Sequence, residues 1–87
     1  MQIRTMRYEI EIRKRAENDL ASLTKADAQR IADASFLLED GLTGDIKKLA
    51  SALPEYRLRI GVWRVLFEIV ERKIIIYRIL HRKEAYR

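Results

Sequence analysis

The feature that most constrains the fold is a run rich in β-branched and aromatic residues from Tyr56 to Leu80. Gly61 and the charged pair Glu71-Arg72 interrupt this run, and both interruptions are typical of hairpin turns. They divide it into three strands that follow one another directly. The last of them, Lys73 to Leu80, is almost continuously apolar, which favours a strand covered on both faces. The C-terminal part of the chain is therefore predicted to be an antiparallel meander.

The N-terminal part predicts one more strand and two helices. Arg7 to Arg13 alternates between charged and apolar residues, which is the period of a half-buried strand. Lys14 to Leu23 has helical spacing, and Thr24 is a typical cap for a second, alanine-rich helix from Lys25 to Asp40. Leu42 to Glu55 is predicted to be a loop. The order β-α-α-β-β-β describes an α+β fold, an antiparallel meander sheet with an N-terminal helical hairpin packed on one face.

Length and composition exclude several classes of protein. The 87 residues fit one domain, residues 1–87. The absence of cysteine excludes disulfides and thiolate metal sites. One histidine, no carboxylate cluster at ligand spacing and no glycine-rich phosphate loop predict that no metal or cofactor is bound. No signal peptide and no membrane-spanning apolar run are visible, so we expect a cytoplasmic protein that does not contact a membrane.

The positive charge is concentrated in one part of the chain. Up to Leu53, nine basic residues balance nine acidic ones, whereas nine basic residues stand against four acidic ones from Pro54 onward. The whole net charge of +5 therefore lies in the C-terminal part. A basic surface confined to one part of a fold favours a polyanionic partner. The alternative is a solvated basic face that serves solubility.

Three arginines of the strand region are candidate phosphate ligands. Arg57 and Arg59 are two apart on one predicted strand, so their side chains leave the same face about 6.5–7 Å apart. That separation is close to the spacing of phosphates along a nucleic-acid strand, and Arg64 can join them from the next strand. Guanidinium groups bind phosphate in a bidentate manner. The alternative is that each arginine pairs with a nearby acid such as Glu68 or Glu84.

The C-terminal segment carries a second candidate group. His81, the single histidine, directly follows the last apolar strand and is followed by Arg82, Lys83 and Tyr86. Histidine moves protons near neutral pH, and tyrosine can stack on a base. A lone histidine can equally be structural or merely exposed. Chemistry without a metal, a cofactor or a protein nucleophile favours RNA as the substrate, because the 2′-hydroxyl of RNA is its own nucleophile.

These motifs resemble those of a known toxin family. The segment from Tyr56 to Ile69, YRLRIGVWRVLFEI, resembles the hallmark of RelE/ParE toxins. The ending from His81 to Arg87, HRKEAYR, resembles the closing motif of that family, and Lys48-Leu-Ala resembles its lead-in. The resemblance spans residues 7–87 and implies the same order of elements. It is more specific for the superfamily than for the activity within it.

The resemblance implies a toxin of a type II toxin–antitoxin system. RelE-type members cut mRNA in the ribosomal A site by attack of the 2′-hydroxyl, which leaves a 2′,3′-cyclic phosphate and inhibits translation. By position, Arg57 and Arg59 match a basic pair of the family and Arg64 a phosphate-contacting arginine. Arg82 matches a residue that helps to protonate the leaving group, and Tyr86 one that stacks on or orients the substrate.

The proton carrier is the part of the implied site that departs from the family. His81 falls where several members have a catalytic histidine. Because arginine does not give up its proton at ordinary pH, Arg57 and Arg59 can stabilise charge but not act as the base. His81 is therefore the best proton carrier, with Glu84 as a more distant candidate. No residue matches the general-base carboxylate of some relatives.

The resemblance leaves three activities open and implies several partners. ParE-like members share the fold but poison DNA gyrase, and a third possibility is a non-catalytic member that only binds its antitoxin. ParE-type chains often lack the combination of basic residues, histidine and tyrosine, so its presence favours the nuclease. The implied partners are mRNA, the ribosome and a RelB-like antitoxin that wraps the toxin, with operator DNA bound only by the toxin–antitoxin complex.

Overall fold

A five-stranded sheet organises the computed structural model, which describes residues 7–41, 44–49 and 54–85. In chain order the strands are β1 (Glu9–Ile12), β2 (Asp45–Lys48), β3 (Tyr56–Ile60), β4 (Trp63–Val70) and β5 (Lys73–His81). Across the sheet their order is β1-β5-β4-β3-β2. The strands β2 to β5 run antiparallel to their neighbours, while β1 runs parallel to β5. The sheet is therefore mixed.

Two helices cover one face of this sheet. They are α1 (Lys14–Ala21) and α2 (Lys25–Phe36), which continues into a 3₁₀ turn, Leu37–Asp40; a short α3 (Arg82–Ala85) follows β5. The Thr24 hydroxyl accepts a hydrogen bond from the Asp27 N–H at 3.2 Å, which confirms the predicted cap. In the described ranges no helix combines the length and the apolar character that crossing a membrane requires.

Two details of the predicted sheet are wrong. Asp45–Lys48, within the stretch predicted to be a loop, forms the edge strand β2 against β3. Its four residues include one apolar side chain, Ile46, which is too little for an alternating pattern. The sheet is also not wholly antiparallel, because β1 pairs in parallel with β5. No hairpin fixes the direction of β1, since two helices separate it from the other strands.

The core lies between the helices and one face of the sheet. Alternation along β3 and β4 directs Leu58, Val65 and Phe67 towards the helices, where all three are almost fully buried. Their buried neighbours in the core are Ala16, Ile31, Leu38, Ile74, Ile76 and Ile79. The side chains between them on β3 and β4 point to the opposite face, which we call the open face.

A bulge interrupts the pairing of β4 with β5. Leu66 pairs with Arg78, but Phe67 pairs with Ile76, so Tyr77 is an extra residue on β5. Because of the bulge, β5 directs Ile74, Ile76 and Ile79 into the core, although the last two are three positions apart and not two.

A carboxylate of α1 completes the outer edge of β5. The pairing with β1 ends at Ile76, which leaves the later part of β5 without a neighbouring strand on that side. There Asp19 accepts hydrogen bonds from the Ile79 N–H at 2.9 Å and from Arg78 Nε at 2.8 Å. Burial alone would raise the pKa of Asp19. The bonds from Arg78 and Ile79, and the charges of Arg78 and Arg15, outweigh it and hold the pKa below its ordinary value.

Replacing Asp19 by alanine should lower the free energy of unfolding at neutral pH by about 2–3 kcal/mol, because the Ile79 N–H and the Arg78 guanidinium lose their acceptor. Since the pKa of Asp19 is depressed in the folded protein, the stabilisation is complete above the unfolded pKa of about 4 and is lost as the pH falls through the folded pKa. Urea unfolding at neutral and acidic pH measures both effects. Asp33→Ala, which removes an exposed carboxylate of α2, is the control and should change stability by less than about 0.5 kcal/mol. If the difference in the free energy of unfolding between the two variants does not become smaller at acidic pH, this role of Asp19 is contradicted.

The turn between β4 and β5 holds a strained residue. Glu71 has a φ of 58°, a left-handed conformation that residues with a side chain rarely adopt. Glu71→Gly should therefore raise the free energy of unfolding by about 1 kcal/mol in urea titrations. Arg72→Gly is the matched control, because Arg72 has an ordinary negative φ and glycine there only adds freedom to the unfolded chain. Stabilisation by both substitutions, or by neither, would show that strain at Glu71 is not the cause.

Candidate nucleic-acid interface

The three arginines predicted to bind phosphate lie together on the open face. Arg59 is directly opposite Arg64 on the neighbouring strand, and Arg57 is opposite Leu66. Alternation along β3 and β4 therefore sends all three guanidinium groups to the face that the helices do not cover. Like charges directly opposite each other in a sheet are unfavourable by themselves. An anion bound between them would remove that repulsion.

The three side chains differ in exposure and in bonding. Arg57 is 7% exposed, and its buried Nε has no hydrogen-bond partner in the described part of the chain. The Arg59 side chain is 55% exposed, and its Nη1 lies 3.8 Å from Asp45 Oδ2. Arg64 is 5% exposed, and its Nη1 donates to the carbonyl oxygens of Gly61 at 2.8 Å and Trp63 at 3.0 Å. Arg59 is thus the accessible cation, while Arg64 also holds the turn between β3 and β4.

The acid beside Arg59 is not one of the two that the sequence suggested. Glu68 accepts a hydrogen bond of 2.7 Å from the Tyr77 hydroxyl. This bond is the main reason that the pKa of Tyr77 lies above its ordinary value, and burial and the Glu68 charge raise it further. Asp45, which lies beside Arg59, was not among the predicted partners. With Ile46 as the single apolar residue of β2, the sequence held no strand pattern that could have placed Asp45 beside Arg59.

His81 lies at the end of β5, away from the open face. It pairs with Trp63, and the two rings meet edge to face with their centroids 5.5 Å apart. Trp63 is adjacent to Arg64 in β4, so their side chains leave opposite faces of the sheet. The structure therefore brings the three arginines together but places His81 on the other side of the sheet end.

Hydrogen bonds at the start of α3 fix the surroundings of His81. Its Nδ1 accepts a hydrogen bond from the Lys83 N–H at 3.1 Å, and the Arg82 N–H donates to the Val62 carbonyl at 2.7 Å. Because Nδ1 is an acceptor, the neutral ring carries its proton on Nε2. The Arg82 and Lys83 side chains are exposed. Tyr86, also predicted to belong to the site, lies outside the described residues.

A metal site of three or more histidine, cysteine, aspartate or glutamate side chains is not found within residues 7–41, 44–49 and 54–85. The chemically notable groups are instead cationic. They occupy the open face of β3 and β4 and the end of the sheet where β5 passes into α3. Such an arrangement can bind and polarise phosphate groups.

The hydrogen bond at Nδ1 can be tested by NMR. Long-range ¹H–¹⁵N spectra should show the Nε2–H tautomer of neutral His81. His81→Phe removes the acceptor, so the protection factor of the Lys83 amide should fall in that variant. The Asp27 amide is a matched control, because its acceptor, the Thr24 hydroxyl, is unchanged there. An Nδ1–H tautomer, or equal changes at both amides, would rule out the bond.

Comparisons with known proteins place the chain among toxins. The family model described as ParE toxin of type II toxin–antitoxin system, parDE, matches residues 10–86. A protein provisionally named toxin RelE1 from Methanocaldococcus jannaschii is 33% identical in an alignment 91 positions long, and the alignment covers 94% of this chain and 98% of that protein.

Two solved structures show the same fold. A chain of the RelB–RelE antitoxin–toxin complex from Methanococcus jannaschii is 29% identical, with a TM-score of 0.72 over 86% of this chain and 93% of that one. A chain of the archaeal RelE–RelB complex from Pyrococcus horikoshii is 28% identical, with a TM-score of 0.75 over 91% of this chain and 99% of that one. The similarity thus extends over almost the full length of each relative.

Proposed function

The chain belongs to the RelE/ParE superfamily of toxins of type II toxin–antitoxin systems, as its motifs predicted, and on this basis we propose that it is an endoribonuclease that cleaves mRNA on the ribosome. Cleavage there inhibits translation. The observation that carries the proposal is the group of three arginines on the open face. One of them, Arg57, is buried, and its Nε has no hydrogen-bond partner among the described residues.

The state of these arginines suits a phosphate ligand. A buried donor without a partner costs about 1–3 kcal/mol, and a phosphate oxygen that Arg57 reaches by turning its side chain outward would remove that cost. The ion pair of Arg59 with Asp45 is long and exposed, so it contributes little stability and can be exchanged for a phosphate. Arg64 is already held in place by two carbonyl oxygens, which limits the entropy lost on binding.

The proposed reaction is an internal displacement at phosphorus. The 2′-oxygen attacks the phosphorus atom and the bond to the 5′-oxygen breaks, giving a 2′,3′-cyclic phosphate and a 5′-hydroxyl end. One proton leaves the 2′-hydroxyl, and one is delivered to the 5′-oxygen. The arginines neutralise the charge that accumulates on the phosphorane, and the substrate supplies the nucleophile, so no metal ion is required.

The remaining roles follow the motif positions. In the proposal, Arg57, Arg59 and Arg64 bind the scissile phosphate, Arg82 helps to protonate the leaving oxygen, and Tyr86 stacks on or orients the substrate. His81 carries a proton. Because the neutral ring holds its proton on Nε2 while Nδ1 accepts from the Lys83 N–H, this transfer requires the bond at Nδ1 to break, so that the ring can change tautomer and use Nε2 towards the RNA. A substrate that reaches it must extend past the end of the sheet.

The solved relatives suggest a protein partner. Both are complexes of a toxin with its antitoxin. We propose that this chain likewise binds a RelB-like antitoxin in the cytoplasm, and that it contacts operator DNA only as part of that complex.

Inhibition of DNA gyrase is the second candidate, because the matching family model is that of the ParE toxin of parDE systems. This function would use the same fold without RNA chemistry. A non-catalytic role in binding the antitoxin is the third. The two toxin activities differ in the nucleic acid that is damaged, so one experiment separates them.

The test is a map of mRNA 5′ ends after brief induction of the toxin in a bacterial host. The wild type should create new 5′-hydroxyl ends within codons, and Arg59→Gln should reduce them about ten- to a hundredfold, the effect of one charged hydrogen bond. Arg7→Gln is the matched control. Arg7 is also exposed and paired with an acid, but it lies beside β1, at the edge of the sheet far from β3. His81→Ala should also relieve toxicity. Arg64 is unsuitable for truncation, because its loss would disturb the turn.

The outcomes separate the three functions. DNA breaks and relaxed plasmids, together with unchanged mRNA ends, would contradict the nuclease and support inhibition of gyrase. An absence of both kinds of damage, with a folded protein that still binds antitoxin, would favour the non-catalytic role.

A further inference from the structure

Three arginines from three separate elements come together at the two-residue turn Gly61–Val62 between β3 and β4. Arg64 of β4 donates its guanidinium to the Gly61 carbonyl at 2.8 Å. Arg82, the first residue of α3, is anchored by its N–H to the Val62 carbonyl at 2.7 Å. From α2, Arg30 reaches the same turn, where Nη2 lies 3.2 Å and Nη1 3.7 Å from the position that a β-carbon at Gly61 would occupy.

In the described part of the chain, Arg30 lies beside this turn without an acidic partner. It is exposed, and none of its contacts with residues 7–41, 44–49 or 54–85 is an ion pair or a hydrogen bond. The acid one turn further along α2, Asp33, accepts a hydrogen bond from Gln29 at 2.8 Å. Gly61 has a φ of 59°, and its lack of a side chain is what allows the guanidinium to lie against the turn. The Arg30 guanidinium therefore lies against the backbone of Gly61 and not against a carboxylate of the described residues.

The turn is the point where the two parts of the candidate site meet. Arg59 and Arg64, the pair next to the turn, lie on the open face. His81 lies against Trp63 on the helix-covered side of the same end of the sheet. A ligand that touches both sides must pass over Gly61–Val62, and Arg30 stands on the helix-covered side of that path.

We propose that Arg30 binds a second phosphate of single-stranded RNA, next to the one held on the open face, as the strand crosses the end of the sheet at Gly61–Val62. This inference rests on the proposed RNA substrate and adds a position that none of the sequence motifs contained. A guanidinium suits the site because it pairs with phosphate oxygens in a bidentate manner and remains charged at any ordinary pH. The positive charges of Arg30 and Arg64 at this turn raise the local concentration of a polyanion.

The test is the salt dependence of RNA binding by the full chain. Fluorescence anisotropy would follow a labelled single-stranded oligoribonucleotide whose 2′-oxygens are all methylated, so that no cleavage can occur. Each phosphate contact that is lost should reduce the slope of log K against log salt by about 0.7. Arg30→Gln is therefore expected to show this reduction together with weaker binding at low salt. Arg30→Lys, which keeps the charge, should retain the slope.

Arg7→Gln is the control, because it removes the same charge beside β1, at the opposite edge of the sheet from β2. Thermal unfolding verifies that the variants are folded. If Arg30→Gln and Arg7→Gln show equal slopes while Arg59→Gln still lowers the slope, the role of Arg30 is overturned and the proposed function stands. If the wild type binds no RNA and Arg59→Gln changes nothing, the proposed function fails and the inference fails with it.

Discussion

The hydrogen bonds of the Asp19 carboxylate are the interaction on which the rest of the architecture depends. The strand β5 is central at its start, between β1 and β4, but its later part has a neighbouring strand on one side only. Asp19 closes the other side by accepting from the Ile79 N–H and from Arg78. One side chain thereby joins α1 to the strand that ends in His81. Together with the pairing of β5 to β4, this attachment fixes the positions of His81 and α3 at the end of the sheet.

The same two strands build both the core and the candidate site. Along β3, Leu58 enters the core while Arg57 and Arg59 turn to the open face, and Val65 and Arg64 divide in the same way on β4. This alternation means that the arginines are positioned by the packing of their neighbours, on rigid strands rather than on loops. A phosphate site of this kind needs little reorganisation when its ligand binds, which favours charge stabilisation in a reaction.

Local patterns in the sequence predicted those parts of the fold that depend on local chemistry. The alternation in β3, the turn at Gly61 and the cap at Thr24 each have their cause within a few residues. What the sequence did not reveal depends on distant partners. The strand β2 exists because β3 offers a free edge, and the parallel direction of β1 depends on how two helices return the chain. The position of Arg30 could not be predicted for the same reason, since its proximity to the β3–β4 turn arises only when α2 packs on the sheet.

The extra residue at Tyr77 has a consequence for the division of the site between two faces. If β4 and β5 paired without interruption from their turn onward, Trp63 would be opposite Leu80, and His81 would share a face with Arg64. The extra residue moves every later side chain of β5 to the opposite face of the sheet. The bulge therefore separates the histidine from the arginines by the thickness of the sheet. A ligand that contacts both must bend around the end of the sheet, which a flexible polymer can do.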